Sequence, residues 1–199
     1  MDLNEIFNHA LSSLTNPTKT ANYLVKKKLT LVDGAVAVVL GALVTAVISC
    51  IAVLFVMSWM TAIFSTMPMM GWSAPLGAGV TIATAIGMLI GIPIGMAVAW
   101  LVGSFIIWVI ASILGGKGDF VKFASTWAFP MAAVFALSWI PILNWLVELY
   151  SLYLLYVFLQ PTMKMDSNKA AITVIALIVL VLVCGAVFGS AFMWTVPAR

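Results

Sequence analysis

Apolar residues run almost unbroken through five stretches of the chain, at about 31–57, 76–114, 120–138, 143–159 and 170–194. A bilayer core of about 30 Å is crossed by about 20 helical residues. The pattern therefore predicts an all-α fold, a polytopic bundle of five transmembrane helices spanning residues 31–199. Thr30 and Asp33 have the spacing of a helix start ahead of the first stretch.

Residues 1–30 follow a different pattern. In DLNEIFNHALSSL, Leu3, Ile6, Phe7, Ala10, Leu11 and Leu14 share one helical face, and Asn4, Glu5, Asn8, His9 and Ser12 share the other. This predicts a short amphipathic helix with Asp2 and Glu5 at capping-box spacing. Asn16-Pro17 ends it and begins a second helix, with Asn16 as N-cap and Pro17 at its first position. The segment reads as a cytoplasmic one whose first helix lies in the membrane interface or docks on a protein partner.

Composition agrees with a membrane protein. The chain has 199 residues, 64% of them hydrophobic and 8% charged, with a mean hydropathy of +1.20, whereas soluble domains carry about 25% charged residues. The first thirty residues do not have the basic start and apolar core of a signal peptide, so the first stretch is expected to stay as an anchor. Cys50 and Cys184 both fall in apolar stretches and read as small hydrophobes.

Charge decides how often the chain crosses. The second stretch, 39 residues long, would measure roughly 58 Å as a helix. It is either one helix kinked at Pro93 or two spans folded there. With five spans and an inner N-terminus, Lys19, Lys26, Lys27, Lys28, Lys117, Lys122, Lys164 and Lys169 are all inside and Arg199 alone is outside. Folding the stretch in two would split the lysines evenly, against the positive-inside rule. Trp59, Trp72, Trp139, Trp145 and Trp194 then fall near the outer boundary, as an aromatic belt should. The expected placement is a multi-pass protein of the cytoplasmic membrane, N-terminus in and C-terminus out. Pro93 and Pro130 are its expected kink sites.

Small residues recur every fourth position in the second stretch, at Gly79, Ala83, Gly87, Gly91, Gly95, Ala99 and Gly103. In lipid such a stripe lets backbones approach closely. It reads first as a packing face within the chain and second as a seam between two copies.

Few residues carry chemistry. Glu148 is the one acid inside a predicted span past its first turn, and Asn144, Glu148 and Ser151 share a face. An intramembrane carboxylate raises transport of a solute or proton as a reading. Near the outer boundary it also reads as structural. GGKGDF, holding Gly115, Gly116, Lys117, Gly118 and Asp119, lacks the spacing of a nucleotide loop and reads as a tight inner turn, with the glycines ending one helix and Asp119 capping the next. The methionines around Met67, Met69 and Met70 have no cysteine or histidine beside them and read as interfacial filler rather than a copper site. His9 is the single histidine, and no catalytic set, metal quartet or dinucleotide fingerprint is present. No enzyme, metal, cofactor or nucleic acid is expected.

LGGKGDFVKFASTWAFP (114–130) resembles the signature of the Yip-one domain family of Ypt/Rab-interacting membrane proteins: a glycine pair, a polar turn, then a third span with a central proline, here Pro130. NPTKTANYLVKKKLTLVDGAV resembles the segment before that family's first span, and QPTMKMDSNKAAI the loop before its last. The likeness runs over about residues 15–195. It implies five helices, N-in and C-out, without catalysis. Eukaryotic relatives bind prenylated Rab-type GTPases in vesicle traffic. The short N-terminal region here resembles the compact prokaryotic members, so Rab binding is not implied. The function expected is a membrane scaffold or interaction protein whose partners are lipid, a cytoplasmic or membrane protein, and a second copy of the chain. The alternative is a transporter using Glu148.

Overall fold

In a computed structural model that describes residues 1–65 and 78–194, the chain forms seven helices with no strand among the described residues. They are α1 (Leu3–Thr15), α2 (Pro17–Lys26), α3 (Leu31–Ser65), α4 (Ala78–Ile113), α5 (Phe120–Leu137), α6 (Pro141–Met163) and α7 (Ser167–Trp194). The last five are long and apolar enough to cross a membrane. Each begins or ends within a few residues of its expected boundary. α3 extends further, to Ser65. Met67, Met69, Met70 and Trp72 lie outside the described residues.

α4 passes through Pro93 as one helix, so the second stretch is a single span. Its packed face carries Pro93, Trp100, Ser104 and Ala111, all buried. These are spaced by seven, four and seven residues and fall on one side of a 3.6-residue helix.

α5 is the axis of the bundle. Every residue from Phe123 to Pro130 is buried, including Ser125 and Thr126. α3 lies parallel to it along a seam of small side chains. A Cβ built on Gly34 would lie 3.0 Å from Ser125 Cα and 3.1 Å from Ala128 Cβ. One built on Gly41 would overlap the Ala132 carbonyl group. Further along, the Thr45 hydroxyl donates to the Phe135 carbonyl. Contacts of this closeness give dispersion energy that the lipid cannot match, and lipid offers no hydrophobic drive for helix association.

α1 and α2 form a hairpin that stands alongside the bundle rather than across its end. The Met1 amine meets Asp33 at 3.3 Å near the start of α3. His9 reaches Phe129, midway along α5, with 6.0 Å between ring centroids. At the tip of the hairpin the Tyr150 hydroxyl donates to the Leu14 carbonyl at 2.7 Å. The helix expected to lie in the interface or dock on a partner is packed against its own chain. Ile6, Ser13, Thr20, Ala21 and Leu24 are buried, so the hairpin is part of the same packed body as the spans. Glu5 pairs with Lys27 across the hairpin instead of closing a capping box, and Asp2 makes no side-chain cap. The Thr30–Asp33 box does form, with the Thr30 amide donating to Asp33 Oδ2 at 2.9 Å and the Asp33 amide donating to Thr30 Oγ1 at 3.2 Å.

Candidate functional site

The turn after α4 is built for a fixed shape. Gly115 takes φ +93°, its amide donates to Ser112 O at 3.1 Å, and the Gly116 amide donates to Ala111 O at 2.8 Å. That pair of bonds is a Schellman motif, which ends a helix at a left-handed residue that glycine adopts without strain. The turn then locks onto the end of α6. The Lys117 amide donates to Met163 O at 2.8 Å, and Trp108 Nε1 donates to Gly118 O at 3.0 Å. A Cβ on Gly118 would overlap the Thr162 carbonyl and lie 2.7 Å from Met163 Cα. Asp119 caps α5, accepting from the Lys122 amide at 3.1 Å.

The facing turn is less ordinary. α6 ends on Lys164, which is left-handed with φ 52° and ψ 43°. It is the single non-glycine residue with positive φ among the described residues, and that conformation costs an ordinary residue roughly 1–2 kcal/mol. Asp166 then caps α7, accepting from the Lys169 amide at 3.1 Å. Two interlocked turns result, with both aspartates engaged in caps. Lys117 and Lys164 are exposed, and neither makes an ion pair among the described residues. All five residues of the 115–119 turn belong to this face. The sequence did not reveal that the loop at 161–169 grips it. Lys26, Lys27, Lys28, Lys122 and Lys169 lie at the same end of the bundle, and exposed Trp59, Trp139 and Trp145 lie at the other.

Two other sequence candidates behave differently. Asn144 Nδ2 donates to Glu148 Oε1 at 3.0 Å, while the Ser151 hydroxyl turns back to the Glu148 main-chain carbonyl at 2.6 Å. Glu148 is exposed and lines none of the described cavities. Among the described residues no three His, Cys, Asp or Glu side chains converge as metal ligands.

From Gly87 to Gly103 the glycine stripe of α4 packs against none of the described residues. A Cβ on Gly87, Gly91, Gly95 or Gly103 would meet no atom within 4 Å, and Ala83 and Ala99 are exposed. Gly79 lies in the first turn of α4, ahead of the described surroundings. Among the described residues the intrachain seam expected from the stripe is not formed, because Pro93, Trp100, Ser104 and Ala111 bury the reverse face. Gly91→Leu should therefore leave the melting temperature in detergent unchanged or slightly raised, since leucine favours helix by up to about 1 kcal/mol over glycine. A drop of several degrees in a scan followed by tryptophan fluorescence would show that the face is packed after all.

The hairpin holds His9 between Tyr23, 5.1 Å away by ring centroids, and Phe129. Burial of the ring holds its pKa below the usual histidine value, although the Glu5 carboxylate, shared with Lys27, is 3.6 Å from Nε2.

Five helices long and apolar enough to cross a membrane, one of them buried at the centre, with a pair of locked turns at the lysine-bearing end, define a multi-span helical membrane protein. The Yip1 domain model matches residues 11–189, and the chain belongs to that family. No curated protein and no solved structure matches it.

Proposed function

We propose that the protein is a non-enzymatic membrane scaffold whose two locked turns dock an acidic surface of a cytoplasmic partner. On this reading the lysine-bearing end faces the cytoplasm, in the cytoplasmic membrane, with the N-terminus inside. The observation that carries it is Lys164. Asymmetry of lysines is what the positive-inside rule demands of any such bundle. That rule accounts neither for a lysine held in a backbone conformation that glycine would adopt at lower cost nor for its turn being clamped to Lys117. Strained, exposed residues over-determined by their surroundings are a mark of functional sites. A preformed pair of cations loses little entropy on binding and steers an acidic partner into register.

The test removes charge without touching the fold. Lys117→Gln with Lys164→Gly keeps both turns, and the glycine suits the left-handed position. The double variant should melt no lower than its parent yet lose, at least tenfold, a protein cross-linked to the parent in native membranes. An unchanged set of cross-linked proteins would refute the docking role. Glu148→Gln serves as control, since a folded Glu148→Gln protein without function would turn the reading towards transport.

A further inference from the structure

The largest described cavity lies elsewhere, as a groove between the apolar side of α1 and the walls of α3 and α5. It measures about 590 Å³, and of its fifteen lining residues only Asn4 is polar. Water of that volume would need two to four polar partners per molecule, and the walls supply almost none. The occupant is therefore hydrocarbon.

Its shape narrows the choice. Leu3 to Leu14 of α1 border the groove, a run of ~17 Å along the helix at 1.5 Å per residue. Spread over that length, and with the radius of the filling atoms added, the volume averages a channel ~9 Å wide, narrower than a helix of 10–12 Å with its side chains. A single extended chain fits. On α1, Leu3, Phe7 and Leu11 are exposed at this site, so they face whatever fills it. The small side chains of Ala37, Ala133 and Ala136 give the groove its depth.

One end is marked by charge. Asp33 lies one helical turn before Ala37, on the same side of α3, and is paired with the Met1 amine. Lys27 is paired with Glu5. Lys26 and Lys28 make no ion pair among the described residues, and of the three carboxylates in residues 1–33, Asp2, Glu5 and Asp33, only Asp2 is likewise without one. The segment carrying them runs directly into the Thr30–Asp33 cap. This is the charge that an anionic headgroup would meet near the membrane surface.

We propose that the groove holds one acyl chain of an anionic phospholipid, with the phosphate beside Lys26 and Lys28 and the chain running along α1 towards Leu14. The lipid would then cover the exposed side of α1 and tie the hairpin to the spans. The site shares no residue with the Lys117–Lys164 face, so either assignment can fail alone.

The test uses the full chain in nanodiscs with phosphatidylglycerol carrying a diazirine near the end of one acyl chain. Phosphatidylcholine and a free fatty acid with the same diazirine are the comparators. Phosphatidylglycerol should label Leu11, Leu14 and Val44 at least fivefold above the exposed α7 stretch around Leu180–Val183. Ala136→Phe should cut that labelling at least fivefold, and Val44→Trp, on the opposite and more exposed wall, supplies the same test if the first variant folds poorly. Lys26→Gln with Lys28→Gln should abolish the preference for phosphatidylglycerol over phosphatidylcholine. Uniform labelling along all exposed helices would overturn the proposal, as would equal labelling by the free fatty acid or cross-links between two copies through the groove.

Discussion

Gly41→Val is expected to be the most damaging single change in the bundle. At Gly41 the backbone of α3 meets the backbone of α5, because an added Cβ would overlap the Ala132 carbonyl. A flexible neighbour cannot move aside there, since the obstacle is main chain on the most deeply buried helix. Overpacking a core costs about 1–3 kcal/mol where side chains can adjust, so the loss here should reach at least the upper end. That corresponds to a fall of ~6–12 °C in melting temperature for a chain of this size. The buried Trp100 and Trp127 report it by fluorescence in detergent. Gly91→Val is the matched control, with the same substitution on a face that meets none of the described residues. If the two variants melt together, the α3–α5 seam is not what holds the bundle.

The second large effect belongs to Gly118→Val. The new side chain collides with the last turn of α6, so the Lys117–Met163 and Trp108–Gly118 hydrogen bonds cannot both survive. Each such bond is worth about 0.5–1.5 kcal/mol net. The effect is local, because the spans themselves keep their packing. Hydrogen exchange reads it directly. The Lys117 amide, protected by Met163 O in the parent, should exchange at least tenfold faster, which is about 1.4 kcal/mol of lost protection. Unchanged exchange would mean that the two turns are not coupled, and the preformed docking face would lose its basis.

The two predictions fall on different glycines from those the sequence displays. The repeat at Gly87, Gly91 and Gly95 is conspicuous because its spacing is regular. Gly34 and Gly41 are seven residues apart with bulkier neighbours between them, and no repeat announces them. The buried partner face, Ser125, Ala128 and Ala132, carries an equally weak signal. Spacing shows which residues share a side of a helix and leaves open which side finds a neighbour. In a soluble protein hydrophobicity answers that, but here lipid-facing and buried sides are both apolar. The turn at 115–119 was readable because its glycines and Asp119 act locally, through backbone conformation and a cap. Its grip on Met163 was not, because that contact joins segments more than forty residues apart. The left-handed Lys164 had no sequence signal, since nothing in its residue type suggests positive φ.

Five spans, the single passage through Pro93, the amphipathic start and the family were all legible along the chain. Each rests on one-dimensional quantities: run length against bilayer thickness, helical period, and the order of short motifs. It took packing in three dimensions to make α5, with a mean hydropathy of 1.5 against 2.3–3.0 for α3, α4 and α7, the central helix. The same packing placed the α1–α2 hairpin against that helix, opening a groove beside it. Surface in contact with lipid must be apolar, whereas a helix enclosed by its neighbours can carry Ser125 and Thr126. The least apolar spans are thus free to move inward, and which of them does so is settled by how closely small residues let the backbones meet.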